Sequence, residues 1–191
     1  VKVKEYNSGT PIVTKYTYDS MGQILQVIDN KGNTTTCSYD ELGRRTQVDN
    51  PDTGLVEYGY DAAGNMTWKV TPNLRMQGKA IYYTYNYTRL EKIDYPSMND
   101  VFYTYGTSGN GAGRVIKVDN GDVVENRTYG KMGEVIQSTR SIQITVPSVK
   151  TVSYTTKYQW DSMGRLHQMV YPDGEILQYT YDAGGQLQKA I

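Results

Sequence analysis

The sequence predicts an all-β fold: a continuous antiparallel β-meander forming a twisted, curled strip, a section of a β-shell. Three observations carry this prediction. The unit Tyr-Asp-x-x-Gly recurs at Tyr18, Tyr39 and Tyr60 with a spacing of 21 residues, and a fixed period of that length marks stacked copies of one supersecondary element. The stretches between these starts alternate with period two, and no segment combines sustained helical periodicity with start and stop signals. Tyr occurs 19 times against one Phe and two Trp. That load suits a pleated, half-wet surface, where the ring packs and the hydroxyl reaches water.

Each unit reads as two strands and two turns. The motif residues are Tyr18, Asp19 and Gly22; Tyr39, Asp40 and Gly43; Tyr60, Asp61 and Gly64; Trp160, Asp161 and Gly164; and Tyr181 with Asp182. Asp at the first turn position and Gly at the fourth suit a type I turn, with Gly supplying the left-handed residue of a bulged hairpin loop. An apolar-rich strand follows, as in Gln23–Ile28 and Arg165–Val170. A second turn comes next, Asp29–Asn33 in one copy and Tyr171–Glu175 in another, carrying the expected Asn, Asp, Pro and Gly. The returning strand alternates into the next start, so Val56, Tyr58 and Tyr60 share a face. Ile81, Tyr83 and Tyr85 do the same, as do Val101, Tyr103 and Tyr105. Starts fall at Tyr18, Tyr39, Tyr60, Tyr85, Tyr105, Tyr129, Trp160 and Tyr181, so the whole chain, residues 1–191, reads as one repeat region with its last copy truncated. About 14 to 16 strands at ~4.8 Å make a strip roughly 65–75 Å wide. Accumulated twist curls an open sheet of that extent.

Three places break the period. The unit at Tyr85 loses its Gly and shortens its turn around Asn86. The unit at Tyr105 extends its turn through Gly109-Asn110-Gly111-Ala112-Gly113. The sixth unit is lengthened into an extended hairpin over about residues 135–158, turning at Pro147-Ser148, with Ile142, Ile144 and Val146 on one face of its tip.

Composition excludes several classes. Lys plus Arg and Asp plus Glu stand at 20 each, so no long-range field favours nucleic acid or an anionic membrane. No apolar run approaches the ~18 residues that insert as a helix. The first residues, Val1–Tyr6, carry neither a signal-peptide core nor an initiator Met, and the reading is a section cut from a longer polypeptide. Cys37 is the single cysteine, which leaves no internal disulfide and no thiolate zinc site; its alternating position is that of a small packed side chain. His167 is the single histidine and lies on a strand. The glycine loop at Gly109 leads into a strand rather than a helix and lacks a following Lys-Ser/Thr, so it is not a phosphate cradle. Asp119-Asn120-Gly121-Asp122 lacks calcium-loop spacing and reads as a hairpin turn. Asn-x-Ser/Thr sequons occur at Asn33, Asn65, Asn86 and Asn126. No catalytic, cofactor or metal residue is assigned.

The motif, fullest in Tyr39-Asp40-Glu41-Leu42-Gly43-Arg44 and in Trp160-Asp161-Ser162-Met163-Gly164-Arg165-Leu166, closely resembles the Rhs, or YD, repeat. The resemblance covers the chain from about Tyr16 to the end. It implies a long β-strip that spirals into a hollow shell. In bacterial Rhs proteins and the C components of insecticidal toxin complexes such shells enclose a C-terminal toxic domain; in animal teneurins a similar shell serves adhesion outside the cell. The chain carries no Asp-Pro-x-Gly-Leu-like self-cleavage segment and no variable C-terminal effector.

The resulting expectation is a non-catalytic, encapsulating wall segment of a secreted or cell-surface protein, whose partner is an effector domain of the same polypeptide. The alternative is an adhesin that binds a glycan or a surface protein through the Tyr-rich face, with Tyr83 and Tyr103 as contacts, or through Ile142, Ile144 and Val146. Open sheet edges add an expectation of edge-to-edge self-association.

Overall fold

The computed structural model describes residues 1–7, 9–146 and 148–191. Among them, 17 strands make an all-β fold in which every strand–strand ladder is antiparallel and joins strands consecutive in the chain. The count exceeds the 14 to 16 expected, because a hairpin precedes the first Tyr-Asp start and the truncated last copy still forms a strand. The chain divides into two compact units: Val1–Leu90 with Asp94–Pro96, and Glu91–Ile93 with Ser97–Ile191.

The first unit is a meander of β1 (Lys2–Asn7), β2 (Thr10–Tyr18), β3 (Ile24–Ile28), β4 (Thr34–Tyr39), β5 (Arg45–Asn50), β6 (Gly54–Tyr60), β7 (Met66–Val70), α1 (Pro72–Met76) and β8 (Ile81–Asn86). The chain then passes through β9 (Arg89–Asp94). Register places one kind of side chain on each face. Cys37 stands opposite Val48, and Val48 opposite Val56, on the face that also carries Tyr39, Tyr58 and Tyr60. In β8, Ile81, Tyr83 and Tyr85 are half-buried while Tyr82, Thr84 and Asn86 are exposed, which is the alternation read from the sequence.

α1 was not expected. Five residues are too few to show a helical period, and its signals are local: Pro72 at the first turn and Gly78 at φ +63° just beyond the end. Tyr87 marks the shortened turn. It is the one described non-Gly residue at positive φ (56°) and is 91% exposed.

The second unit contains β10 (Val101–Tyr105), β11 (Val115–Asp119), β12 (Val123–Tyr129), β13 (Val135–Ile144), β14 (Lys150–Trp160), β15 (Leu166–Val170), β16 (Ile176–Tyr181) and β17 (Leu187–Ala190). The glycine loop folds one 3-10 turn, Gly109–Gly111, before β11 begins as a strand. β13 and β14 form the long hairpin and pair from Gln137↔Lys157 to Ile144↔Lys150. The expected turn at Pro147 lies outside the described residues.

No apolar side chain among the described residues is fully buried. Stability therefore resides in ladders and cross-strand contacts rather than in a central core. Gly59 shows how tight such contacts are. Trp68 lies directly opposite it, and a Cβ on Gly59 would fall 1.9 Å from the Trp68 Nε1. Gly59→Ala should destabilise the protein by about 1–3 kcal/mol in urea unfolding, since the indole must leave its place. Gly184→Ala, whose Cβ would meet only Asp182 Oδ1 at 3.4 Å, should be close to neutral by the same measurement.

Candidate functional site

The site begins with the turn. Asp19 N–H donates to Gln23 O at 3.0 Å and Gly22 N–H to Asp19 O at 3.2 Å, with Gly22 at φ +82°. The Asp19 carboxylate then accepts from the N–H of Met21 and of Gln23 at 2.9 and 2.8 Å. Asp40 repeats this with Leu42 and Arg44, and Asp161 with Met163 and Arg165. Asp61 and Asp182 accept from Asn65 and Gln186. Asp29 makes the second turn in the same way, with Lys31 and Asn33. Each carboxylate thus satisfies loop donors that no ladder can reach.

The aromatic residue before Asp has an equally fixed task. The β3–β4 ladder ends at Gln26↔Thr36, and beyond it the Tyr39 hydroxyl donates to Ile24 O at 2.9 Å. Tyr60 donates to Arg45 O at 2.8 Å beyond Gln47↔Glu57. Tyr129 donates to Val115 O at 2.6 Å beyond Lys117↔Asn126, and Tyr181 to Leu166 O at 2.8 Å beyond Gln168↔Gln178. Trp160 donates its Nε1–H to Val135 O at 2.8 Å beyond Gln137↔Lys157. In all five copies the donor stands three residues past the last ladder pair and the acceptor two residues before it. Trp replaces Tyr here because both place a donor at the end of a flat ring. The sequence predicts that the ring packs and the hydroxyl reaches water; in these copies the polar tip reaches a carbonyl instead, and the usable signal is Trp in a Tyr slot and the near absence of Phe.

A third set of contacts links one turn to the next. Gln23 Nε2–H donates to Gly43 O at 2.9 Å, Arg44 to Asp61 O at 2.7 Å, and Asn65 to Tyr87 O at 2.8 Å. Arg44 also binds Asp40 through Nε at 2.7 Å and lies 4.8 Å over the Tyr60 ring. Arg165 repeats the pattern with Asp161 at 2.7 Å and the Tyr181 ring at 4.5 Å. At Gln23, Arg44, Asn65 and Arg165 the residue after Gly is therefore a stitch: it holds its own Asp through its backbone N–H and reaches the next repeat with its side chain.

The sixth unit inverts this scheme. Gly130 stands where Asp belongs and Glu134 where Arg belongs, and a Cβ on Gly130 would fall 1.8 Å from Glu134 Oε1. The carboxylate comes from the other end of the loop. Its Oε2 is buried and, among the described residues, without a hydrogen-bond partner.

Titration follows these contacts. The Arg44 backbone N–H, with the guanidinium beside it, holds Asp40 below its ordinary value of 3.8. Arg165 does the same for Asp161, and the Asn65 side chain for Asp61. Burial pushes the Tyr39 phenol up, so the donor to Ile24 keeps its proton.

The proposed contact residues sit as follows. Tyr83 is half-buried; burial among Tyr95, Tyr85 and Tyr58 raises its phenol. Tyr103 is half-buried opposite Val118, in the other unit. Ile142 is half-buried, Ile144 is exposed and Val146 is 78% exposed at the hairpin tip. His167 is exposed, and Cys37 is half-buried against Val48. Register also assembles a group that sequence reading missed. Glu125, Arg140 and Tyr154 are directly opposed across β12, β13 and β14. Glu125 takes Arg127 Nε–H at 2.6 Å and Arg140 NH2 at 3.3 Å, and the Arg127 bond draws its carboxyl below the ordinary value. Among the described residues no three His, Cys, Asp or Glu side chains converge as metal ligands.

The Teneurin YD-shell family matches residues 2–191. No curated protein matches. Among solved structures, TcdB2-TccC3-TEV superposes with a TM-score of 0.76 at 17% identity, covering 99% of this chain and 11% of that one. TcdB2-TccC3-Cdc42 gives 0.75 at 18%, covering 98% and 11%. The Tc holotoxin pore of Photorhabdus luminescens gives 0.73 at 18%, covering 95% and 10%. The chain thus spans about a tenth of the length of these structures, and at this identity the likeness establishes the fold.

Trp160→Phe should lose about 0.5–1.5 kcal/mol in chemical unfolding, with Trp160→Tyr losing clearly less because a donor is restored. The lowered Asp values make a second expectation. Stability from these carboxylates is complete above 3.8 and lost as pH falls through their depressed values. The melting temperature should fall between about pH 5 and about pH 2. The triple variant Asp40→Asn, Asp61→Asn, Asp161→Asn should melt lower at neutral pH and show a flatter acid slope.

Proposed function

Because the chain belongs to the Teneurin YD-shell family, we propose that it is a stretch of wall in a secreted or cell-surface shell and encloses an effector segment of the same polypeptide. The chain itself is a structural shell segment of Rhs type. The observation that carries the proposal is the stitched row of turns. In the regular copies Asp closes its own turn, the aromatic residue of the following start closes the opening beside that turn, and the residue after Gly reaches the next turn. A sheet built this way extends by adding copies, and its turn ends stay joined as it does so. Enclosure is a physical mechanism: a closed wall keeps its contents from solvent, proteases and premature partners until release.

Protease challenge of the parent polypeptide tests this. The enclosed segment should be cleaved several-fold more slowly in the intact protein than when expressed alone. Loosening the wall with Tyr60→Phe and Trp160→Phe should restore cleavage. Equal cleavage rates with and without the wall would remove the proposal.

A further inference from the structure

The long hairpin leaves a strand edge uncovered inside the meander. β15 pairs with β14 only from Lys157↔Val170 to Trp160↔Leu166. β13 covers the other side of β14 as far as Lys150. Among the described residues, nothing pairs with residues 150–156 on the β15 side. The register gives the reason: continued from Lys157↔Val170, Thr155 would face Pro172, which has no N–H and lies in the turn that ends β15.

The direction of the backbone groups on this edge follows from one bond. Gln143 N–H donates to Asp122 O at 2.8 Å, so the odd residues of β13 address β12 and the even ones address β14. The pairs Ile142↔Val152 and Arg140↔Tyr154 then use the even residues of β14. Thr151, Ser153 and Thr155 therefore turn their N–H and C=O groups outward. Thr151 and Ser153 are exposed, and Tyr154 is 47% exposed. Where β15 would have continued there is a cleft of about 490 Å³, lined by Ser153, Tyr154, Tyr171, Pro172, Asp173 and Glu175. Asp173 accepts the Glu175 N–H at 3.1 Å, and neither carboxylate joins an ion pair among the described residues.

We propose that residues 150–156 of β14 are a docking edge for an extended segment of another protein, which adds a strand and places a Lys or Arg side chain between Asp173 and Glu175. Three outward donors and three outward acceptors supply the main-chain bonds of strand addition. Tyr154, Tyr171 and Pro172 pack the stem of the basic side chain, and the two carboxylates meet its charge. The charge complementarity selects this occupant over a second copy, whose own edge, Lys150-Thr151-Val152-Ser153-Tyr154-Thr155-Thr156, has its nearest cation at the end rather than opposite the acids. The inference is independent of the shell reading.

The test is residue-resolved amide exchange with end-blocked seven-residue peptides that alternate Thr and Val around a central Lys or a central Glu. In the free protein the amides of Thr151, Ser153 and Thr155 should exchange fast and those of Val152 and Tyr154 slowly. The Lys peptide should slow the three fast amides about tenfold or more. Ser153→Pro should abolish binding while circular dichroism stays unchanged, since this N–H bonds nothing among the described residues. Asp173→Asn with Glu175→Gln leaves the edge intact and should weaken the Lys peptide about tenfold. Unchanged exchange at the three amides, or full binding by Ser153→Pro, would overturn the docking edge. Equal binding of the Glu peptide would overturn the basic occupant. Concentration-dependent dimers that vanish in Ser153→Pro would assign the edge to a second copy and also overturn the proposal.

Discussion

Five junctions of the sheet depend on one constraint: an antiparallel ladder must open to make room for a loop, and its opening leaves a carbonyl without a strand partner. A carbonyl left unpaired in partly buried surroundings costs about 1–3 kcal/mol. Tyr39, Tyr60, Tyr129, Trp160 and Tyr181 each supply the missing donor from the next strand, at the same offset from the last ladder pair. The ring fixes the distance and the polar tip makes the bond, so neither Phe nor an aliphatic residue serves. Asp closes the other half of the opening by accepting loop N–H groups. The two motif residues thus act on opposite ends of one defect.

Coupling between repeats is a separate matter and falls to the residue after Gly. Arg44 and Arg165 each touch their own Asp, and each lies over the aromatic ring of the following repeat. Repeats joined in this way feel their nearest neighbour, which gives a sheet without a central core a way to resist local opening. The inverted pair Gly130 and Glu134 puts a carboxylate beside the loop from its other end, with one oxygen buried and, among the described residues, without a hydrogen-bond partner. It also precedes the one hairpin that outgrows its neighbours and so uncovers part of β14.

Much of this was legible in the sequence. The period, the Asp and Gly turn chemistry, the alternating strands, the three breaks and the family resemblance all follow from local residue patterns, and local patterns dictate hairpins. α1 was not legible, because five residues carry no period and Pro72 with Gly78 read equally well as loop. The hydroxyl-to-carbonyl bonds needed the register, which decides which carbonyl faces the ring. The same holds for the Glu125, Arg127 and Arg140 cluster and for the bare edge of β14. Both depend on where one ladder stops relative to the next, a long-range fact that only pairing reveals.

The most direct test of the account removes all five donors at once while keeping the rings: Tyr39→Phe, Tyr60→Phe, Tyr129→Phe, Trp160→Phe and Tyr181→Phe in one protein, followed by thermal unfolding. At about 1 kcal/mol each, the loss approaches the whole stability of an ordinary domain, about 5–15 kcal/mol. The account predicts that the variant has lost its cooperative transition or melts far below the parent. A fivefold variant that melts cooperatively within a degree or so of the parent would contradict it.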